Sequence, residues 1–224
     1  MDPAIPARCE SPSRSGSLQP LQGGDKIAES GLLVSGSRVM KRVLIRAGIV
    51  LVVLTALLCV VGLLLPSTFQ VSRSVEIRAD RAVVHALVGD LTQWDRWTPW
   101  KEQDPSIVVT PGAISSGPGA SQTWVGDSGD GALVVTTSSP ETGITYDLAF
   151  DQGRYQSQGG IGYEDLPGGG TRVIWTMRGE VGANPIARLL ALTMDSMVGP
   201  LFERGLERLA AEAQADAAGR AAQR

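Results

Sequence analysis

The sequence predicts an α+β protein in which one curved antiparallel sheet is closed by a long C-terminal helix, with one transmembrane helix in front. Three observations predict it. Residues 47–65 are nineteen in a row without a charge. Between residues 68 and 180, short runs alternate apolar and polar positions, with turn signals every ~8–12 residues as an antiparallel sheet requires. From Pro185 onward, apolar residues recur at helical spacing.

Residues 1–37 are rich in Ser, Pro and Gly and show no apolar periodicity, which predicts a disordered cytoplasmic tail over residues 1–39. Met40-Lys41-Arg42 stands just ahead of the apolar run, as at the start of a signal or anchor segment. Met40 is therefore an alternative start to Met1, and residues 1–39 are then an extension. At ~1.5 Å per residue the apolar run spans roughly 28 Å as a helix, close to the ~30 Å thickness of bilayer hydrocarbon. The sequence places an anchor at residues 40–66, with its transmembrane helix at about 44–65. Arg38, Lys41, Arg42 and Arg46 precede it, and the first charge after it is Arg73. Positive residues stay inside, so the N-terminus is expected in the cytoplasm and residues 67–224 outside. Leu63-Leu64-Leu65-Pro66 lacks the small residues of a cleavage site, and Cys59 follows Leu58 where lipid attachment wants a small residue. An uncleaved, single-pass signal anchor is expected. Gly48 and Gly62 are too far apart for a GxxxG face.

Residues 68–78 alternate cleanly, with Phe69, Val71, Arg73, Val75 and Ile77 on one face. Asp80 suits the cap of a short helix ending near Val88. Leu91 to Trp100 then supplies Trp94, Trp97 and Trp100 around Pro99, which fits a second short helix and a corner. Strands are expected at residues 107–110, 121–126 (Trp124), 132–137, 144–150 (Tyr146) and 172–180 (Trp175). The Gly-rich run 154–163 reads as a weak edge strand. Asp127 to Gly131 and Pro167 to Gly170 read as hairpin loops. The last helix has Asn184 as cap and Pro185 in its first turn. Its stripe of Ile186, Leu190, Met194, Met197, Leu201, Phe202, Leu206 and Leu209 continues to about Gln214, with a kink expected at Pro200 and fraying over residues 215–224. The domain is thus bounded at residues 67–214.

Charge divides the chain. Residues 1–66 carry +3 and residues 67–224 carry −6. An acidic domain is a poor match for nucleic acid, whose phosphates need Lys and Arg. The only cysteines are Cys9 and Cys59, so the domain has no thiolate ligand or disulfide, and with one histidine no zinc site is expected. His85 has no G-x-S-x-G elbow to serve, Asp127 and Asp130 lack the closing Glu of a calcium loop, and the glycines at 168–170 precede a strand rather than a helix. No catalytic residue, metal or cofactor is assigned.

The aromatic and Met residues are the remaining signal. Trp94, Trp97, Trp100, Trp124, Tyr146, Trp175, Met194 and Met197 are candidate lining of an apolar pocket between sheet and helix, with Trp124, Tyr146, Trp175 and both Met read as facing inward. An ordinary core is the alternative for any one of them. Arg73 and His85 are the polar candidates. Arg73 either snorkels at a sheet end or meets an acidic ligand group.

With these residues in view, the chain resembles the SRPBCC superfamily (START, Bet v 1-like, polyketide cyclase/dehydrase and lipid-transport proteins). It is most similar to bacterial members with an N-terminal membrane anchor. The resemblance rests on Leu65-Pro66-Ser67 leading into Val71-Ser72-Arg73-Ser74, and on Asp90-Leu91-Thr92-Gln93-Trp94-Asp95-Arg96-Trp97-Thr98-Pro99-Trp100. Gly169-Gly170-Thr171-Arg172-Val173-Ile174-Trp175 and Met194-Asp195-Ser196-Met197-Val198-Gly199-Pro200 complete it. It runs from about Met40 to Gln214 and implies a helix-grip fold, not an activity. His85 departs from the pattern, which puts a bulky aromatic there. A fold of this kind hosts carriers, enzymes and co-chaperones alike.

The expected function is a membrane-anchored binding domain for a lipid or other hydrophobic small molecule, without catalysis. Its partners are the lipid bilayer and that ligand, not nucleic acid. The alternatives are a cyclase or dehydratase acting on an apolar substrate through Arg73, His85 or Tyr146, and a protein-interaction module with a filled interior.

Overall fold

The computed structural model describes residues 30–223, with side chains from residue 39 onward; expectations for residues 1–29 lie outside the described residues. The chain divides between Val52 and Val53 into two compact units. The apolar run lies in helix α1, Ser30–Leu64. Residues 39–64 of it are long and apolar enough to cross a membrane. The helix starts well before residue 44, and residues 30–37 belong to it although their composition predicts no structure. Once an apolar run has nucleated a helix, each further residue adds a hydrogen bond at little entropic cost.

Three residues after α1, strand β1 (Thr68–Ile77) begins. Helix α2 (Arg81–Val88) follows, then a 3₁₀ turn at Leu91–Gln93 and the one-turn helices α3 (Trp94–Trp97) and α4 (Trp100–Gln103). Asp80 occupies the α2 cap position without a side-chain bond, whereas Asp90 accepts from the Thr92 N–H to start the 3₁₀ turn. The Trp-rich corner is therefore three short turns, because Pro99 and the extended Thr98 before it stop the helix that Trp94 begins.

Strands β2 (Val108–Pro111), β3 (Ser121–Val125), β4 (Gly131–Ser139), β5 (Gly143–Phe150), β6 (Tyr155–Asp165) and β7 (Thr171–Glu180) complete one seven-stranded antiparallel sheet in the order β1-β7-β6-β5-β4-β3-β2. The Gly-rich run is not an edge. It is β6, paired on both sides, and the edges are β1 and β2. Its glycines serve packing: a Cβ on Gly159 would sit 2.1 Å from the Tyr146 ring on β5. The turn feeding β6 holds Asp151, Gln152 and Gly153 at positive φ.

Helix α5 (Pro185–Ala191) is capped by Asn184, which accepts from the N–H groups of Ile186 and Ala187. Helix α6 (Met194–Ala222) passes through Pro200 without interruption. The break in the long helix falls instead at Leu192 and Thr193, where the Thr193 hydroxyl donates to the Leu190 carbonyl. α6 also continues beyond Gln214, through an Ala-rich stretch of high helix propensity held by Arg96, which pairs with Glu212 and Asp216.

The core sits between the concave face of the sheet, α2, α3 and α6. Val71, Ile77, Leu133, Val135, Ile144, Ile161, Val173 and Trp175 supply the sheet side, while Phe202, Leu206, Leu209 and Ala213 supply the helix side. The buried stripe of α6 is thus only the later half of the stripe in the sequence. Ile186, Leu190 and Met197 are exposed.

Candidate functional site

The space between sheet and α6 changes character along its length. At the rear it is filled. Trp97 and Trp175 are fully buried, and Trp175 stacks on Phe202 with ring centroids 4.0 Å apart. Trp97 and Trp100 meet Trp175 edge-on, and Trp94 meets Tyr146 the same way. Gly205 lets the helix approach: a Cβ there would lie 2.7 Å from the Trp175 ring. The polar tips are satisfied within the chain, as burial demands. The indoles of Trp94 and Trp97 donate to the carbonyls of Val88 and Leu87, capping the end of α2. The Trp175 indole donates to the Tyr146 hydroxyl at 2.7 Å. Burial pushes the Tyr146 pKa up, and that hydrogen bond opposes the shift in part.

The front is different. At the end where β1 starts, Phe69, Trp124, Leu148, Phe150, Met194 and Val198 pack on the core but are only half-buried. The register shows why the row does not close. Phe69 faces Gly179, Gly179 faces Ser157, and Ser157 faces Leu148, so small side chains lie between large ones. Trp124 meets Phe150 edge-on at 5.7 Å across Gly131. The α6 residues Met194 and Val198, four apart and so on one helical face, are partly buried and packed on the core.

The predicted lining therefore falls into groups. Trp94, Trp97, Tyr146 and Trp175 are joined in the rear cluster, Trp100 lies half-buried at its margin, and Trp124 and Met194 belong to the front. Met197 does not face inward; it is 65% exposed. One residue further along α6, Val198 takes the inward position, since each residue turns the helix by about 100°. Phe69, Leu148, Phe150 and Val198 complete the front and lie outside the lining that the sequence predicts. Phe69, Leu148 and Phe150 carried the alternation signal, but their opening to one end depends on the neighbouring strands.

Arg73 lies on the groove face of β1, and carboxylates of the chain itself occupy it. It donates to Asp195 at 2.8 Å and to Glu203 at 2.6 Å. These hydrogen bonds raise the Arg73 pKa and lower that of Asp195. Gly199 gives the guanidinium room, since a Cβ there would be 2.0 Å from its Nη2. The Met-Asp…Gly-Pro segment is thus the seat of an ion clamp between β1 and α6. His85 lies elsewhere, on α2, with Nδ1 at 3.2 Å from the Tyr163 hydroxyl and Nε2 at 3.3 Å from the Ser138 hydroxyl.

Asp104, which has no motif around it, is a further polar centre. It accepts from the N–H and hydroxyl of both Ser106 and Ser128, tying the α4 exit to the β3–β4 loop. The Ser106 and Ser128 bonds hold its carboxyl well below the usual range. Asp104-Pro105-Ser106 fits a local Asx turn; the partner at Ser128 is distant in sequence. Among the described residues, no group of three or more His, Cys, Asp or Glu could hold a metal ion. A trough of about 790 Å³ wraps the β1 edge past Ser72, Glu76, Glu164 and Arg172, where Arg172 pairs with both glutamates. It is polar and lies away from the apolar front.

These features define a helix-grip domain: a curved antiparallel sheet gripping one long helix over an apolar interior. Residues 68–214 match the family described as polyketide cyclase / dehydrase and lipid transport, and the chain belongs to that family. No curated relative matches it. Among solved structures it is similar to a Thermobifida fusca protein, at 23% identity and TM-score 0.49 over 63% of this chain and 90% of that one. A hypothetical protein from Helicobacter pylori is 12% identical, with TM-score 0.49 over 64% and 87% of the two chains. A Chromobacterium violaceum protein is 16% identical, with TM-score 0.46 over 65% and 96%.

Proposed function

We propose that this protein binds a lipid or another hydrophobic small molecule at the membrane, with α1 as a single-pass anchor and the helix-grip domain outside the cytoplasm. The observation that carries the proposal is the half-buried apolar front, at the sheet end that the chain enters three residues after α1. An acyl chain or flat hydrophobic body laid between Phe69, Leu148, Phe150, Met194 and Val198 would cover surface that now meets water. The rear aromatic cluster forms the floor of such a site, and Trp124 and Trp100 stand at its margins. Membership in a family named for lipid transport and polyketide processing supports an apolar ligand. The catalytic alternative draws little support from its named residues. Arg73 is clamped, His85 sits between two hydroxyls, and Tyr146 is buried against Trp175.

The test is mass spectrometry of lipids retained by the full chain after gentle detergent extraction. The wild type is expected to carry lipid in near-stoichiometric amount. Leu148→Asp and Phe150→Ser, each with an unchanged circular dichroism spectrum, are expected to lose most of it. A wild type that retains nothing and binds no apolar probe, or variants that retain as much as wild type, would count against the proposal.

A further inference from the structure

In the first half of the apolar stripe, Ile186, Leu190 and Met197 are not used by the core, whereas Met194 packs on it. Ile186 is 64% exposed, Leu190 61%, Leu192 61% and Met197 65%. Ile186 and Leu190 are four residues apart on α5 and so share a face. The only charge on α5 is Arg188, and it is turned away into backbone contacts. Its guanidinium donates to the carbonyls of Leu63 and Leu65 at 2.8 and 3.2 Å and to Gly182 at 2.9 Å. A cation on the last carbonyls of α1 is well placed against the negative end of that helix.

The position of α5 along α1 completes the argument. Pro185 packs directly on Gly62, where an added Cβ would lie 2.6 Å from the Pro185 carbonyl oxygen. Gly62 is inside the apolar stretch 39–64. With α1 as a membrane anchor, on which this inference rests, the start of α5 lies at the depth where hydrocarbon gives way to headgroups. An uncharged helix face at that depth meets lipid, not bulk water.

We infer that α5 and the turn after it form an interfacial foot. Ile186, Leu190 and Leu192 enter the outer headgroup–acyl boundary of the bilayer that α1 spans, and Met197 marks the edge. The foot adjoins the α6 N-terminus, which carries Met194 and Val198, so it would hold the apolar front against the lipid surface.

The experiment uses full-length protein in phosphatidylcholine vesicles. An environment-sensitive fluorophore is placed at one site at a time, on native Cys59 in a Cys9→Ser background, and on Leu190→Cys or Val134→Cys in a background lacking both native cysteines. Val134 is an exposed reference on the sheet. Lipids carrying a nitroxide high on the acyl chain serve as quencher. The expected result is strong quenching at 59 and 190, several-fold above that at 134. Gly62→Leu, which pushes Pro185 away, should lower quenching at 190 and leave 59 unchanged. Quenching at 59 with none at 190 would overturn the foot and leave the anchor standing. No quenching at either would overturn both. A probe at 190 shielded from lipid nitroxide and from aqueous iodide would assign the face to another protein chain and likewise overturn the inference.

Discussion

His85 lies between the hydroxyls of Tyr163 and Ser138, with its ring edge-on to Tyr163 at 5.9 Å. A neutral imidazole has one donor and one acceptor, which two hydroxyls match without a charge. Burial lowers the His85 pKa below its ordinary 6.5, and the charge of Glu141 opposes the shift in part. The sign follows from the two states. Above pH 6.5 neither folded nor unfolded chain holds the proton. Below it the unfolded chain takes the proton first, so stability falls as pH drops toward the folded-state pKa. The thermal midpoint of wild type should fall more between pH 7.5 and 5.5 than that of His85→Phe. Equal slopes would show that His85 is not the titrating group. Burial of the ring among these partners disfavours the charged imidazole.

At the scale of elements, α6 is held at three levels. The Arg73 clamp secures its start, the Trp175–Phe202 stack its middle and the Arg96 pairs its end. The surface ion pairs contribute little each, while the buried aromatic contact dominates. Gly205→Val should therefore cost about 1–3 kcal/mol by overpacking against Trp175, although Val is a better helix former than Gly. Gly219, with nothing within 4 Å of an added Cβ, is the control. Gly219→Ala should raise stability by up to about 1 kcal/mol from helix propensity alone. Urea unfolding of the two variants in the same detergent separates packing from propensity. If Gly205→Val unfolds no earlier than wild type, the close approach of α6 is not limiting.

At the scale of the molecule, orientation is the first issue. Lys41, Arg42 and Arg46 before the apolar run and none of their kind until Arg73 favour a cytoplasmic N-terminus. A reporter enzyme fused after Arg224 should be active only if it functions outside the cytoplasm; activity confined to a cytoplasmic reporter would reverse the topology. The α+β class, the strand positions and a helix long and apolar enough to cross a membrane were legible because period-two alternation, helical spacing and a long uncharged run are local signals. The candidate site was legible only in part. The tryptophans stood out by type, but which of them fill the rear and which border the front depends on the row Phe69–Gly179–Ser157–Leu148, drawn from four strands. The C-terminal stripe misled because periodicity shows that a helix has an apolar face, not what meets it. By itself, then, the sequence determined the class of fold and the apolar character of its interior, since both follow from each residue's near neighbours. Tertiary structure alone decided that Arg73 is clamped by Asp195 and Glu203, and that the stripe parts company with the core before Met194 and leaves its first half beside the end of α1. Those outcomes depend on residues more than a hundred positions apart, whose meeting no local pattern encodes.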